Sequence, residues 1–198
     1  MKIFISGPSG VGKSTIINEM LKRNRNIVLS VSYTTRTPRP GEKDGKDYFF
    51  VSKQTFEEMV AGHMFLEWAC VHNQLYGTSI ERVKEKETEG FDVLFDIDVQ
   101  GVAQIREKGT KGCFILVVPP SIEELSKRLA KRGTEAEKDV ALRLENARRE
   151  LGYWKNYDYL VINDTLKSTV ADIGSIIRAY QCTKEFSVEK LKWLQEIG

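Results

Sequence analysis

Lys2 to Ser6 is a short apolar strand that runs directly into Gly7-Pro8-Ser9-Gly10-Val11-Gly12-Lys13-Ser14, after which Ile16, Ile17, Met20 and Leu21 recur at helical spacing. A Gly-x-x-x-x-Gly-Lys-Ser pattern between a strand and a helix leaves few folds open. The glycines take backbone conformations that side chains forbid, so consecutive N–H groups can converge on a phosphate at the positive end of the helix. Chance would produce the pattern in about one such chain in a hundred, before the flanking strand and helix are required. The segment therefore reads as a nucleotide-triphosphate loop. Gly7, Ser9, Gly10, Val11, Gly12, Lys13, Ser14 and Thr15 form the cradle, with Lys13 reaching the β- and γ-phosphates and the Ser14 hydroxyl ligating Mg²⁺.

Downstream, apolar strands alternate with amphipathic helices. Phe91 to Phe95 and Cys113 to Val118 are buried strands separated by a helix with Val102 and Ile105 that ends at Gly109, and Tyr159 to Ile162 is the last strand. This alternation implies a parallel sheet in an α/β fold. Asp96 stands where Val93-Leu94-Phe95 stops, at the carboxyl edge where ligands of such sheets gather, and is expected to hold Mg²⁺ directly or through water. For Asp98 a ligand role and a plain helix cap are equally open.

Between these elements lie Ser32 to Asp47, a polar stretch with two prolines and two glycines that reads as an irregular functional loop, then a strand at Tyr48 to Val51 and a helix capped by Ser52. Met64 to His72 and Gln74 to Tyr76 read as strands, with Trp68 in the core, and Ser79 opens a charged helix. Ser121-x-x-Glu124 and Thr134-x-x-Glu137 are capping boxes, and Gly133 separates their helices. Val170 to Tyr180 is a long amphipathic helix, and Phe186 to Ile197 a shorter one with Leu191, Leu194 and Ile197 on one face.

Composition narrows the function classes. Among 198 residues, 30 basic against 28 acidic side chains leave +2, which speaks against a uniformly cationic surface for a nucleic-acid backbone. The longest apolar run, Cys113 to Val118, is far short of the roughly 20 residues that span a bilayer. Neither a membrane segment nor a signal peptide is read, so a cytoplasmic location is expected. The three cysteines, Cys70, Cys113 and Cys182, are widely spaced, with only His63 and His72 as further soft ligands, and read as reduced packing residues rather than a zinc or disulfide framework.

The second substrate's site must come from elsewhere in the chain. Ser32-Tyr33-Thr34-Thr35-Arg36-Thr37-Pro38-Arg39 and on to Tyr48 supplies two forked guanidinium groups and a Tyr hydroxyl, chemistry suited to a phosphate but also common in solvated loops. Its order Thr-Thr-Arg-x-x-Arg-x-x-Glu-x-x-Gly-x-x-Tyr resembles the guanylate kinase family. So do Phe65-Leu66-Glu67-Trp68-Ala69, Tyr76-Gly77-Thr78-Ser79, Asp96-Ile97-Asp98-Val99-Gln100-Gly101, Arg132-Gly133-Thr134 and Val161-Ile162-Asn163-Asp164, in that family's order up to about residue 180.

The resemblance implies a P-loop three-layer fold with a parallel central sheet, an inserted mixed α/β GMP-binding subdomain and a helical lid. The core would be residues 1–31, 87–126 and 152–198, the GMP-binding subdomain 32–86 and the lid 127–151. It implies Mg²⁺-dependent, reversible phosphoryl transfer from ATP to GMP, and to dGMP as a further acceptor. Arg36, Arg39, Tyr48 and Tyr76 would bind the GMP phosphate, and Glu67, Ser32 and Thr78 would read the base, with Asp98 nearby. Guanine's N1–H and N2–H₂ are adjacent donors that one carboxylate accepts together, whereas adenine presents an acceptor at N1. Arg128, Arg132 and Arg143 would close over ATP, with Lys13, Arg36, Arg132 and Arg143 catalytic, and Asn163 would lie on the adenine side. Two other classes stay in view: a non-catalytic phosphopeptide-binding relative, against which intact Lys13 and Ser14 speak, and a P-loop kinase for another acceptor, against which Glu67 and Tyr76-Gly77-Thr78 speak. Monomer and homodimer are both open.

Overall fold

The computed structural model describes residues 1–71, 73–131, 137–191, 193 and 197. In chain order the elements are β1 (Lys2–Ser6), α1 (Lys13–Arg23), β2 (Ile27–Leu29), β3 (Tyr33–Thr34), β4 (Phe49–Phe50), α2 (Lys53–Ala61), β5 (Phe65–Val71), β6 (Gln74–Ser79) and α3 (Ile80–Thr88). They continue with β7 (Asp92–Asp96), α4 (Val99–Glu107), β8 (Cys113–Val118), α5 (Ile122–Lys131), α6 (Glu137–Leu151), a 3-10 turn at Gly152–Asn156, β9 (Tyr159–Ile162), α7 (Leu166–Gln181) and α8 (Lys184–Lys190).

Five strands form a parallel sheet in the order β2-β7-β1-β8-β9. β1, β7 and β8 are apolar without alternation because both faces are covered. On one face Ile3, Ile5, Leu94 and Ile115 meet Ile16 and Met20 of α1 and Val170 and Ile173 of α7. On the other Phe4, Phe95 and Phe114 meet Val83 of α3 and Val102 and Ile105 of α4. Phe4 stacks between Phe95 and Phe114 with both centroid separations at 4.5 Å, so this layer is aromatic where the first is aliphatic. The register sets Ile5 beside Asp96, which brings the start of the glycine loop and the acidic strand end to one edge.

The second sheet, in the order β4-β3-β6-β5, is mixed: β3 runs parallel to β4, while β6 is antiparallel to both of its neighbours. It has its own small core of Phe56, Met59 and Phe65. Tyr33 and Thr34, expected within an irregular loop, instead form the strand joining β4 to β6; a two-residue strand carries no periodicity to read. Trp68, expected in the core, is 38% exposed, because β5 turns Phe65, Glu67 and Ala69 inward and Trp68 and Cys70 outward.

Other expectations shift in detail. The Ser121 hydroxyl accepts the Glu124 N–H at 3.1 Å, but the Glu124 carboxylate accepts from Arg128 Nε at 3.0 Å instead of turning back to the cap. Thr134, Gly133 and Leu194 lie outside the described residues. The last helix begins at Lys184 and ends at Lys190, before Leu191 and Ile197, which are exposed. All three cysteines are free thiols, yet only Cys113 is a packing residue; Cys70 and Cys182 face solvent.

Candidate active site

The glycine loop connects the end of β1 to the start of α1. Gly12 is the N-cap residue at φ +98°, and no side chain caps α1, so its first N–H groups remain available to an anion. A Cβ at Gly12 would lie 2.7 Å from Asn163 Nδ2, so the close approach requires glycine. Asn163 is the strut beneath the loop: Nδ2 donates to the Val11 carbonyl at 2.6 Å, and Oδ1 accepts from the Thr169 hydroxyl at 2.9 Å. Both ends of its side chain are thus engaged beneath the loop. Arg128 donates through Nη1 to the Asn163 carbonyl at 3.0 Å, which seats α5 beside the same loop. Ser9, Ser14 and Thr15 are exposed, and Val11 is fully buried.

A cavity of about 360 Å³ separates the loop from the second sheet. Lys13, Ser14, Asp96 and Asp98 line it from the core, and Ser32, Tyr48, Glu67 and Tyr76 from the opposite wall. Lys13 Nζ lies 2.8 Å from Asp96 Oδ1. Asp98 caps α4, its Oδ1 accepting the Gly101 N–H at 2.8 Å, which is the helix-cap reading, and it also lines the cavity.

Glu67 is 5% exposed, a carboxylate among buried residues. The β5 register shifts between Phe65 and Glu67, an irregularity of the kind that re-aims a side chain. Thr78 Oγ1 donates to Glu67 Oε1 at 2.5 Å, and Thr78 is itself 1% exposed, so its hydroxyl holds the carboxylate instead of facing the cavity. Burial pushes the Glu67 carboxyl up to about 7; the Thr78 hydrogen bond opposes this, the Asp98 charge adds to it and Lys108 opposes it.

Arg36 projects from the loop after β3. Its Nη2 donates to Glu42 Oε1 at 2.8 Å, its Nη1 donates to the Thr37 carbonyl at 2.9 Å, and its guanidinium lies over the Tyr48 ring at 5.3 Å. Glu42 Oε2 also accepts the Arg39 N–H at 2.7 Å, so one carboxylate folds both arginine positions into a single turn while the Arg39 side chain stays exposed. Burial, ahead of the Asp96 charge, raises the Tyr48 phenol above its ordinary value. Tyr48 and Tyr76 meet edge to face at 5.9 Å.

A second cavity of about 620 Å³ opens where α6 faces the glycine loop, lined by Ser9, Asp98, Arg143 and Glu150 among others. Arg143 is therefore brought to the cleft, whereas Arg132 lies outside the described residues. Glu42 was not singled out from the sequence, although it sits in the Arg-x-x-Arg-x-x-Glu spacing that could have flagged it. Among the described residues, no cluster of three His, Cys, Asp or Glu side chains surrounds a metal position, and no helix is long and apolar enough to cross a membrane.

A glycine loop at the carboxyl edge of a parallel sheet, facing an arginine- and carboxylate-lined wall across a cleft, defines a P-loop nucleotide kinase. A family model described as guanylate kinase matches residues 1–180. The guanylate kinase of Thermotoga maritima is 47% identical over 188 residues, 95% of this chain and 91% of that protein. The guanylate kinase of Caldanaerobacter subterraneus subsp. tengcongensis is 47% identical over 180 residues, 91% and 87% of the two chains. The crystal structure of guanylate kinase from Anaplasma phagocytophilum superposes with a TM-score of 0.75 at 32% identity, covering 93% of this chain and 87% of that one. The chain belongs to the guanylate kinase family and is a nucleoside monophosphate kinase.

Proposed function

We propose that the protein transfers the γ-phosphoryl group of ATP to GMP, reversibly and with Mg²⁺, and accepts dGMP as well. The observation that carries this reading is the buried Glu67 carboxylate, held by Thr78 and opening into the same cavity as Lys13. A carboxylate so placed pairs with guanine's two adjacent donors and is left unpaired by adenine, a penalty large enough to select the base.

In-line transfer needs alignment and charge neutralisation more than covalent chemistry, so no nucleophile or general base is assigned. The open amides of the loop and Lys13 hold the donor phosphates, while Arg36, Arg39, Tyr48 and Tyr76 hold the acceptor phosphate. Arg143, with Arg132 and Arg128, neutralises charge between them. Ser14 and Asp96 face one cavity as a hydroxyl and a carboxylate, a donor set that fits Mg²⁺, which takes most of its ligands from phosphate and water. When bound, the ion screens the donor's phosphate charge. Segments 32–86 and 127–151 close over the core formed by 1–31, 87–126 and 152–198, which excludes water from the transfer. An enzyme of these substrates works in the cytoplasm, where they are made and used.

A coupled ADP-release assay with GMP, dGMP, IMP and AMP tests the reading. GMP should be the preferred acceptor by orders of magnitude over AMP, and absence of turnover with GMP ends it.

A further inference from the structure

β5 is an edge strand of the second sheet, so the backbone polar groups of alternate residues along it have no strand to pair with. They pair with α4 of the core instead. Gln104 Nε2 donates to the Trp68 carbonyl at 2.6 Å, and Gln104 Oε1 accepts the Trp68 N–H at 3.2 Å, so one side-chain amide takes the place of a neighbouring strand. One turn further on, Lys108 Nζ donates to the Leu66 carbonyl at 2.7 Å. One turn before, a Cβ on Gly101 would sit 2.7 Å from Glu67 Oε2 and 3.2 Å from its Cδ, so the carboxylate rests against bare helix backbone. Asp98, Gly101, Gln104 and Lys108 fall at spacings of three, three and four, which is one face of a helix. That face engages three consecutive residues of β5, with Glu67 in the middle.

We infer that Gln104 is a positioning residue for guanine selection: by clamping both backbone groups of Trp68 it sets where the Glu67 carboxylate stands against Gly101. This rests on the reading of Glu67 as the base-selecting group. A displacement near 1 Å at a reacting or recognising group costs on the order of 100-fold, so a two-bond clamp one residue away carries weight. Trp68 is 38% exposed, so water can replace the amide and the fold survives without it.

The test is Gln104→Leu, assayed with GMP and with IMP, which lacks the exocyclic amine. The expected result is a fall of about tenfold or more in kcat/KM for GMP, a smaller fall for IMP and an unchanged KM for ATP. The acid limb of the GMP profile should also move to lower pH as the carboxylate gains water, the charges facing it being Asp98 and Lys108 of α4. In a Glu67→Gln background, Gln104→Leu should leave the GMP-to-IMP ratio where Glu67→Gln alone puts it. An unchanged ratio and limb in the single variant, an equal fall for both acceptors, or an additive effect in the double variant overturns the inference. Should the leucine variant melt below assay temperature, Gln104→Glu serves: it keeps the acceptor for the Trp68 N–H, opposes the Trp68 carbonyl and should shift the ratio the same way. Wild-type protein that ignores GMP sinks the functional reading; wild-type protein that prefers GMP beside an unaltered variant sinks only the role of Gln104.

Discussion

Lys13 Nζ and Asp96 Oδ1 stand 2.8 Å apart, so the lysine of the glycine loop and the acid at the end of β7 neutralise each other across the floor of the cleft. The side chains are 21% and 37% exposed, and such a pair contributes at most about 1 kcal/mol to stability. Its value is positional, because a nucleotide's phosphates compete for Lys13 while a cation competes for Asp96.

Lys13→Ala should therefore abolish turnover and leave the melting temperature within a few degrees of wild type. Asp96→Asn should lower kcat and raise the Mg²⁺ concentration needed for half-maximal rate. Wild-type Mg²⁺ dependence in Asp96→Asn, measured by steady-state titration, would remove Asp96 from the metal's surroundings.

Because the Glu67 carboxyl titrates at about 7 and only the ionised form accepts both guanine donors, kcat/KM for GMP should rise with pH and level off above about 7. Glu67→Gln should lose that limb along with much of its GMP preference. The same shift has a stability consequence of definite sign. A carboxyl whose folded value is raised from 4.5 costs nothing while protonated in both states, costs increasingly between 4.5 and about 7, and costs its full amount above that. Thermal melts should show Glu67→Gln matching wild type near pH 4.5 and exceeding it by about 3 kcal/mol or less at pH 8.

Asn163→Ala removes the strut beneath the loop, leaving the Val11 carbonyl without its side-chain donor, while the Thr169 hydroxyl keeps the Thr165 carbonyl at 2.8 Å. The expected loss is about 2 kcal/mol of stability with weaker ATP binding and no change in the ratio of ATP to GTP as donors. A changed donor ratio with wild-type stability would instead place Asn163 against the base.

Glu42→Gln keeps a group that can accept from Arg36 but removes the charge that fixes it. KM for GMP should rise about tenfold while KM for ATP holds, with Arg39 affected in parallel because both depend on the same carboxylate. Equal changes in both KM values would show a general loosening of the turn.

Much of this arrangement can be read along the chain because it is local. A glycine loop needs a strand before it, a helix after it and glycine where φ is positive, all within Lys2 to Arg23. The buried parallel strands announce themselves because both of their faces are covered, which removes alternation from Val93-Leu94-Phe95 and Cys113 to Val118. Position in space is another matter. Glu67 and Trp68 are neighbours whose hydropathies point one way and whose burial goes the other, since the strand's pleat and the bulge beside Glu67 decide which side chain faces inward. Asn163 and Val11 are 152 residues apart, and Gln104 and Trp68 36 apart, so no local spacing announces either contact. Residue order declares chemistry when the partners share a turn or a strand; where a helix of the core grips an edge strand of the inserted sheet, the pairing exists only once both sheets have packed.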